Sequence, residues 1–428
     1  MHPLRHALTG ICKLLNMGLN LEREYTLEDV NIVPQTVSTV ESRKTVNVIK
    51  ETRLANGIVL KTLPLMTAPM AYFTHINAIM FLPREVIYTL PRFSASRDLI
   101  IQQIMEHTTE EMQKKVKTRL VNFLTTSDGE RNHLLKKDIY SLLDILYERI
   151  DYRSIDIRIK AARQLREAGV LFIPSVGLHE VRNNTEKVLE LIELSNTGMY
   201  LLDVANGYLK SIYETMEFLE ERTEIIPLFG NIVSSDILKK CHIVQKMLHR
   251  DRVGAEFGVR IGIGNGSECL TAINTKISRP QLSALYDIYS FDSARSKFLR
   301  ISDGGITHYG EAVIALLFSD FIMTNYLFKG TELNIHSAFA LRKDRIPSYG
   351  MASQYIKVED DSYIEGGLTF AERQYIKDVV RKFIESLQSA MSYVDCRDIN
   401  GFDYFSLYPE KLKLVVSSYS MRLQEGLR

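Results

Sequence analysis

The sequence predicts an α/β protein built as a (β/α)8 barrel, with a helical insertion after the second strand and a flap after the eighth. Three observations carry this. Eight short apolar runs, each ending in Gly, Ser, Asn or Pro, recur along most of the chain. Segments with helical spacing separate most of them, and the units repeat at roughly 25 residues. Strands apolar on both faces and alternating with helices belong to a parallel sheet covered on both sides, and eight such units suit a closed barrel. An open doubly wound sheet is the alternative this pattern leaves.

The runs follow in order. LPLMTAPM from Leu63 and VIYTLPR from Val86 are the first two strands. A long charged stretch, 94–169, then interrupts the rhythm. EEMQKKVKTRL and RNHLLKKDIYSLLDILYERI read as helices of an insertion, with TTSDGE (Thr125 to Glu130) as their turn and the charges as solvated faces. LFIPSVG from Leu171, MYLLDVAN from Met199 and IIPLFGN from Ile225 continue the barrel, spaced by TEKVLELIELSN and KSIYETMEFLEER. SDILKKCHIVQKMLH precedes the sixth strand, which runs into GVRIGIG at Gly258 and opens into a glycine-rich loop ending in Cys269. FLRISDGG from Phe298 and FIMTNYLF from Phe321 complete the eight. Residues 331–369 read as loop-rich, and AERQYIKDVVRKFIESLQSAMSYV as a closing helix. The chain thus divides into 1–93 (N-terminal segment and first strands), 94–169 (insertion) and 170–428 (the remaining barrel, catalytic loop, flap and closing helix).

Composition narrows the function classes. In 428 residues, 53 Lys+Arg balance 52 Asp+Glu, which argues against nucleic acid or a membrane surface as partner. No apolar run approaches the roughly 20 residues of a spanning helix, and the first residues do not read as a signal peptide. Cys12, Cys241, Cys269 and Cys396 are scattered, without the spacing of a zinc site or a disulfide framework, so a reducing, cytoplasmic setting is expected.

Reactive groups of such barrels stand at the C-terminal strand ends. Here those ends carry Ala68, Pro69 and Met70; Ser175 and Gly177; Asp203 and Asn206; Gly230 and Asn231; the Cys269 loop; and Asp303-Gly304-Gly305. Glycine turns offer backbone N–H groups to an anion, a carboxylate accepts sugar hydroxyls, and a thiol beside them is a candidate nucleophile. The plain alternative for Cys269 is an inert, partly buried thiol.

On EYTLEDVNIVPQ, LPLMTAPM, LLDVANGY, LFGNIVSS, GIGNGSECLTAINTKISRPQLSAL, RISDGGI, PSYGMAS and SLQSAMSYVDC, the chain resembles the IMP dehydrogenase / GMP reductase family over most of its length apart from roughly 100–168. The resemblance implies that Cys269 attacks C2 of a purine nucleoside monophosphate, and that Thr271 and Glu365 relay a proton. It implies that Met70, Ser267, Asp303, Gly304, Gly305, Tyr349, Gly350 and Met351 bind the nucleotide, and that Ser175, Asp203 and Asn231 border a nicotinamide cofactor. Carbonyls of Gly264, Gly266 and Cys269 would hold a monovalent cation such as K+, in a homo-oligomer, a tetramer. Of the family's two chemistries, the segment QYIKVEDDSYIEGG lacks the Arg-Tyr pair of the dehydrogenase, while Cys269-x-Thr271, Glu365-Gly366 and DVANGY (Asn206, Tyr208) are the reductase-like forms. The expectation is therefore NADPH-dependent conversion of GMP to IMP. An NAD-dependent dehydrogenase, another purine nucleotide as substrate, and a non-catalytic nucleotide-binding barrel remain as alternatives. Departures cluster at the expected phosphate: Thr324-Asn325-Tyr326 stands where the family has a glycine pair, Ala68 replaces a hydroxyl residue, and Ala272 and Ala352 also differ.

Overall fold

The computed structural model describes residues 24–34, 37–73, 76–92, 154–291, 297–338, 346–349, 367–408 and 410–416. Each expected run holds one barrel strand: β1 (Leu65–Met66), β2 (Tyr88–Leu90), β3 (Phe172–Val176), β4 (Met199–Leu202), β5 (Ile226–Ile232), β6 (Phe257–Ile261), β7 (Phe298–Asp303) and β8 (Phe321–Met323). Pairing is parallel from β2 through to β8, and β8 pairs β1. The ring closes between β1 and β2, where Met66 bridges Ile87, the Ile87 N–H donates to Leu65 O at 3.2 Å and the Thr67 N–H donates to Ile87 O at 3.0 Å. The sheet therefore has no free edge, and the open doubly wound alternative is excluded.

Why these runs are largely apolar is visible in their two faces. Ile173, Met199, Leu201, Leu228, Leu299, Ile301, Phe321 and Met323 fill the barrel interior as one cluster. Their neighbours Phe172, Tyr200, Leu202, Phe298 and Ile322 face the helix layer in another. Strand side chains alternate with period two, so a strand buried on both faces shows few polar positions, and those it has, such as Arg260 and Arg300, are paired. On the outer face Phe257 lies 5.3 Å from Phe298 and 5.7 Å from Phe229, centroid to centroid. Burying an aromatic ring there contributes about 2 kcal/mol or more.

A hairpin, Lys50–Arg53 with Val59–Thr62, closes the N-terminal end. Its turn carries Asn56-Gly57, a strong hairpin signal, and Leu54 and Leu60 enter the interior cluster. The Ala55 N–H donates to Ala255 O at 2.9 Å, just ahead of β6.

Of the expected insertion, only its end is described: Ile155–Glu167 is helical and packs on the Thr185–Glu193 helix and on β3. Residues 94–153, including the expected TTSDGE turn, lie outside the described residues. The expected closing helix is Ile376–Tyr393. The stretch read as loop-rich contains ordered pairing: Ile346–Tyr349 runs antiparallel to Leu368–Ala371. Four-residue strands, one holding Pro347, leave no periodic signature, and their partners are joined only by the fold.

Candidate active site

Strand parity builds the mouth of the barrel. Asp203 follows Leu201 on the inward register of β4, Asp303 follows Ile301 on β7, and Arg260 follows Gly258 on β6. The residues that would form the next interior layer are thus charged, and they face one another. Arg260 donates through Nε and Nη2 to Asp303 Oδ2 at 3.0 and 2.7 Å, and through Nη1 to Asp203 Oδ1 at 3.4 Å. Arg92, just beyond β2, donates to Asp203 Oδ2 at 3.3 Å. The side chains are 9% (Arg260), 13% (Asp303) and 16% (Asp203) exposed, so the line Arg92–Asp203–Arg260–Asp303 is largely desolvated yet alternates in sign. Burial opposes the Arg260 charge, but Asp303 and Asp203 outweigh it and hold its pKa above the ordinary value.

Asn231 of β5 ties this line to the cysteine loop. Its Nδ2 donates to Asp303 Oδ2 at 2.8 Å and to Gly262 O at 2.7 Å. Gly262 has φ +136°, and a Cβ there would lie 2.2 Å from Asp303 O, so only glycine lets the loop leave β6 beside β7. Beyond it, the Gly305 N–H donates to Asn265 O at 2.9 Å, and Asn265 Nδ2 donates to Gln281 Oε1 at 2.7 Å. Gln281, buried to 2% exposure, in turn donates to Ile261 O at 2.7 Å. Gln281, in the PQL segment (Pro280 to Leu282) that follows the cysteine loop, is therefore a structural anchor of the loop.

The loop delivers Cys269 half-buried, with its Sγ 3.3 Å from Thr271 Oγ1. Thr271 opens the short helix Thr271–Thr275. Met70 is half-buried at the β1 exit and packs on both core clusters. Gly304 and Gly305 both have left-handed φ, +83° and +69°. Ser267 is exposed, and its Oγ donates to Glu268 Oε2 at 2.6 Å. Ser175 is fully buried in β3 with its hydroxyl unpartnered, while its carbonyl accepts from Arg158 Nη1 at 2.9 Å. Among the carbonyls expected around a cation, Gly266 O accepts the Cys269 N–H at 3.0 Å and keeps a second lone pair. Tyr349 is described as backbone in its ribbon; Gly350, Met351 and Glu365 lie outside the described residues.

Where the family's glycine pair was expected, Thr324 and Asn325 are buried. The Ala68 N–H donates to Asn325 Oδ1 at 2.9 Å, so the missing hydroxyl at position 68 and the added amide at 325 face one another. Sequence reading missed Arg92, Arg260 and Glu268. The inward parity of Arg260 was a usable signal; Arg92 and Glu268 gain meaning only from partners distant in sequence.

A family model for the IMP dehydrogenase / GMP reductase domain matches residues 24–420. An inosine-5'-monophosphate dehydrogenase of Borreliella burgdorferi is 22% identical over 395 residues, 88% of this chain and 91% of that protein. GMP reductases of Pediococcus pentosaceus and Lactobacillus acidophilus are 26% and 27% identical, each over 57% of this chain and 72% and 71% of their own length. With a closed eight-stranded parallel barrel and a cysteine loop held beside Asp303, the chain belongs to the IMP dehydrogenase / GMP reductase family of purine-nucleotide oxidoreductases.

Proposed function

We propose that the protein is an NADPH-dependent GMP reductase, converting GMP to IMP and ammonia through a covalent bond between Cys269 and purine C2. The observation that carries this is the Cys269 Sγ–Thr271 Oγ1 contact of 3.3 Å on a loop tied to Asp303 through Asn231. The Cys269 thiolate adds to C2 of the base. The 2-amino group leaves as ammonia after taking a proton passed by the Thr271 hydroxyl from Glu365. Asp303 accepts hydrogen bonds from the ribose hydroxyls, while Met70, Ser267, Gly304, Gly305, Tyr349, Gly350 and Met351 line the remainder of the nucleotide.

The donor set fits a nicotinamide nucleotide: Asp203 and Asn231 offer an acceptor and an amide at the mouth, Arg92 and Arg260 hold Asp203 in place, and Ser175 lies beneath. When bound, that cofactor supplies the hydride that reaches C2 as the carbon–sulfur bond breaks, releasing the thiolate. The direction of reaction rests on the reductase-like Glu365-Gly366 and on the absence of an Arg-Tyr pair in 354–367. A monovalent cation such as K+ on the loop carbonyls, a tetrameric assembly and a cytoplasmic location belong to the same reading.

A second reading, an NAD-dependent IMP dehydrogenase, is favoured by the Borreliella burgdorferi relative, whose match covers most of both chains. The near-ultraviolet absorbance of the reduced nicotinamide separates the two. Its loss with NADPH and GMP supports the reductase; its rise with NAD and IMP supports the dehydrogenase; neither change with any purine nucleotide overturns both.

A further inference from the structure

Glu268, the residue before the cysteine, is 7% exposed. A carboxyl group there must find donors, because an unmatched one costs several kcal/mol. It finds three hydroxyls on three segments. Ser267 Oγ donates to Oε2 at 2.6 Å, and Ser348 Oγ and Thr369 Oγ1 donate to Oε1 at 2.7 and 2.9 Å. Ser348 and Thr369 are directly paired across the ribbon Ile346–Tyr349/Leu368–Ala371, so one carboxyl oxygen grips both strands. Ser348 is itself braced by the Tyr72 hydroxyl, 3.1 Å away. Lys329, buried and within electrostatic reach, turns its ammonium to the Tyr326 ring at 3.7 Å. The described hydrogen-bond partners of the Glu268 side chain are thus hydroxyls, which are directional.

The backbone is held at the same place. The carbonyl of Glu268 accepts the Gly367 N–H at 2.7 Å, and the N–H of Cys269 donates to Gly266 O at 3.0 Å. Both polar ends of the peptide joining Glu268 to Cys269 are therefore fixed, one by the ribbon and one by the loop. With that plane set, the Cα of Cys269 is fixed, and the sulfur it carries lies 3.3 Å from Thr271 Oγ1.

We infer that Glu268 is the positioning residue for Cys269: it fastens the cysteine loop to the ribbon and so fixes where the sulfur is presented. This rests on Cys269 being the reacting thiol. The test is iodoacetamide labelling of the full chain followed by peptide mass analysis, with the half-buried Cys241 as internal reference. In E268A, Cys269 labelling should rise about fivefold or more against Cys241, as the loop leaves its seat. Turnover of GMP should fall about tenfold or more with KM changed less than about threefold, since a displaced reactive atom costs kcat first. E268Q should stay within about twofold of the native chain on both readouts, because the amide oxygen accepts from Ser348 and Thr369 and the amide nitrogen can donate to Ser267. T369V, near-equal in bulk, removes one donor from the ribbon side and should move labelling in the same direction by about threefold or more; it carries the test should E268A not fold. Unchanged Cys269 labelling in these variants, a parallel rise at Cys241, or E268Q behaving as E268A would overturn the inference. Labelling needs no nucleotide: a chain inactive on every purine whose loop is nonetheless released by E268A retains the inference and loses the proposed reaction.

Discussion

Arg260 and Arg300 stand on neighbouring strands, both nearly buried, each paired with an aspartate, yet they serve opposite faces of one sheet. Arg260 points into the barrel at its C-terminal end and meets Asp303 and Asp203. Arg300 points outward, donating through Nε to Asp320 Oδ2 at 3.0 Å beneath the Tyr289 ring, and Lys50 donates to the same carboxylate at 3.1 Å. A single step in strand parity separates a group at a ligand-accessible mouth from one that cements strand to helix layer. The same ion-pair chemistry therefore lines the candidate site in one place and braces the scaffold in the other, and mutations should separate the two.

The largest expected effect lies at the mouth. C269A should lower kcat/KM by about 10³ or more at unchanged stability, whereas C241A should leave it within about twofold; steady-state kinetics beside thermal melts check this. On the outer face, D320N should cost about 3 kcal/mol of unfolding free energy, measured by denaturant titration, because Arg300 and Lys50 then lose a desolvated partner. Its activity per folded molecule should be unchanged. D303N should divide its effect, losing about 100-fold in kcat/KM while destabilising less than D320N, since Asp203 still faces Arg260. Equal stability losses in the two aspartate variants would break the comparison. T271V, which removes the hydroxyl beside the thiol, should lower kcat about tenfold with KM little changed.

Acid sharpens the contrast. Burial alone would raise the Asp320 pKa, but Arg300 and Lys50 outweigh it and hold the carboxyl well below the usual range. A folded-state pKa below the unfolded value of about 3.9 contributes stability above that pH and loses it as the pH falls toward the folded value. The native chain should therefore lose stability progressively below about pH 4, and D320N should show a shallower loss, measured as melting temperature against pH.

Much of the barrel was legible because burial on both faces keeps most strand positions apolar and gathers small and polar residues toward the strand exits. The Cys269 loop was legible because Gly262 marks a backbone approach that no side chain permits. PQL was recognised as a motif, but Gln281 as a buried strut was not, since its partners Ile261 and Ser302 lie on two strands. The ribbon Ile346–Tyr349/Leu368–Ala371 escaped notice because its strands are short and, among the described residues, pair with each other. Arg92 escaped because its partner, Asp203, is far off in sequence and stands at the exit of a strand two places along the sheet.

By itself, then, the order of residues pointed to eight parallel strands suited to a barrel, to the strand ends where the candidate site would lie and to the thiol on its loop, since each follows from local periodicity or from a backbone angle only glycine tolerates. Closure of the ring decided the remainder: which charges face each other across the mouth, and that Glu268 holds the cysteine loop against a distant ribbon. Those contacts are between residues far apart in sequence, and their geometry exists only once the strands have met.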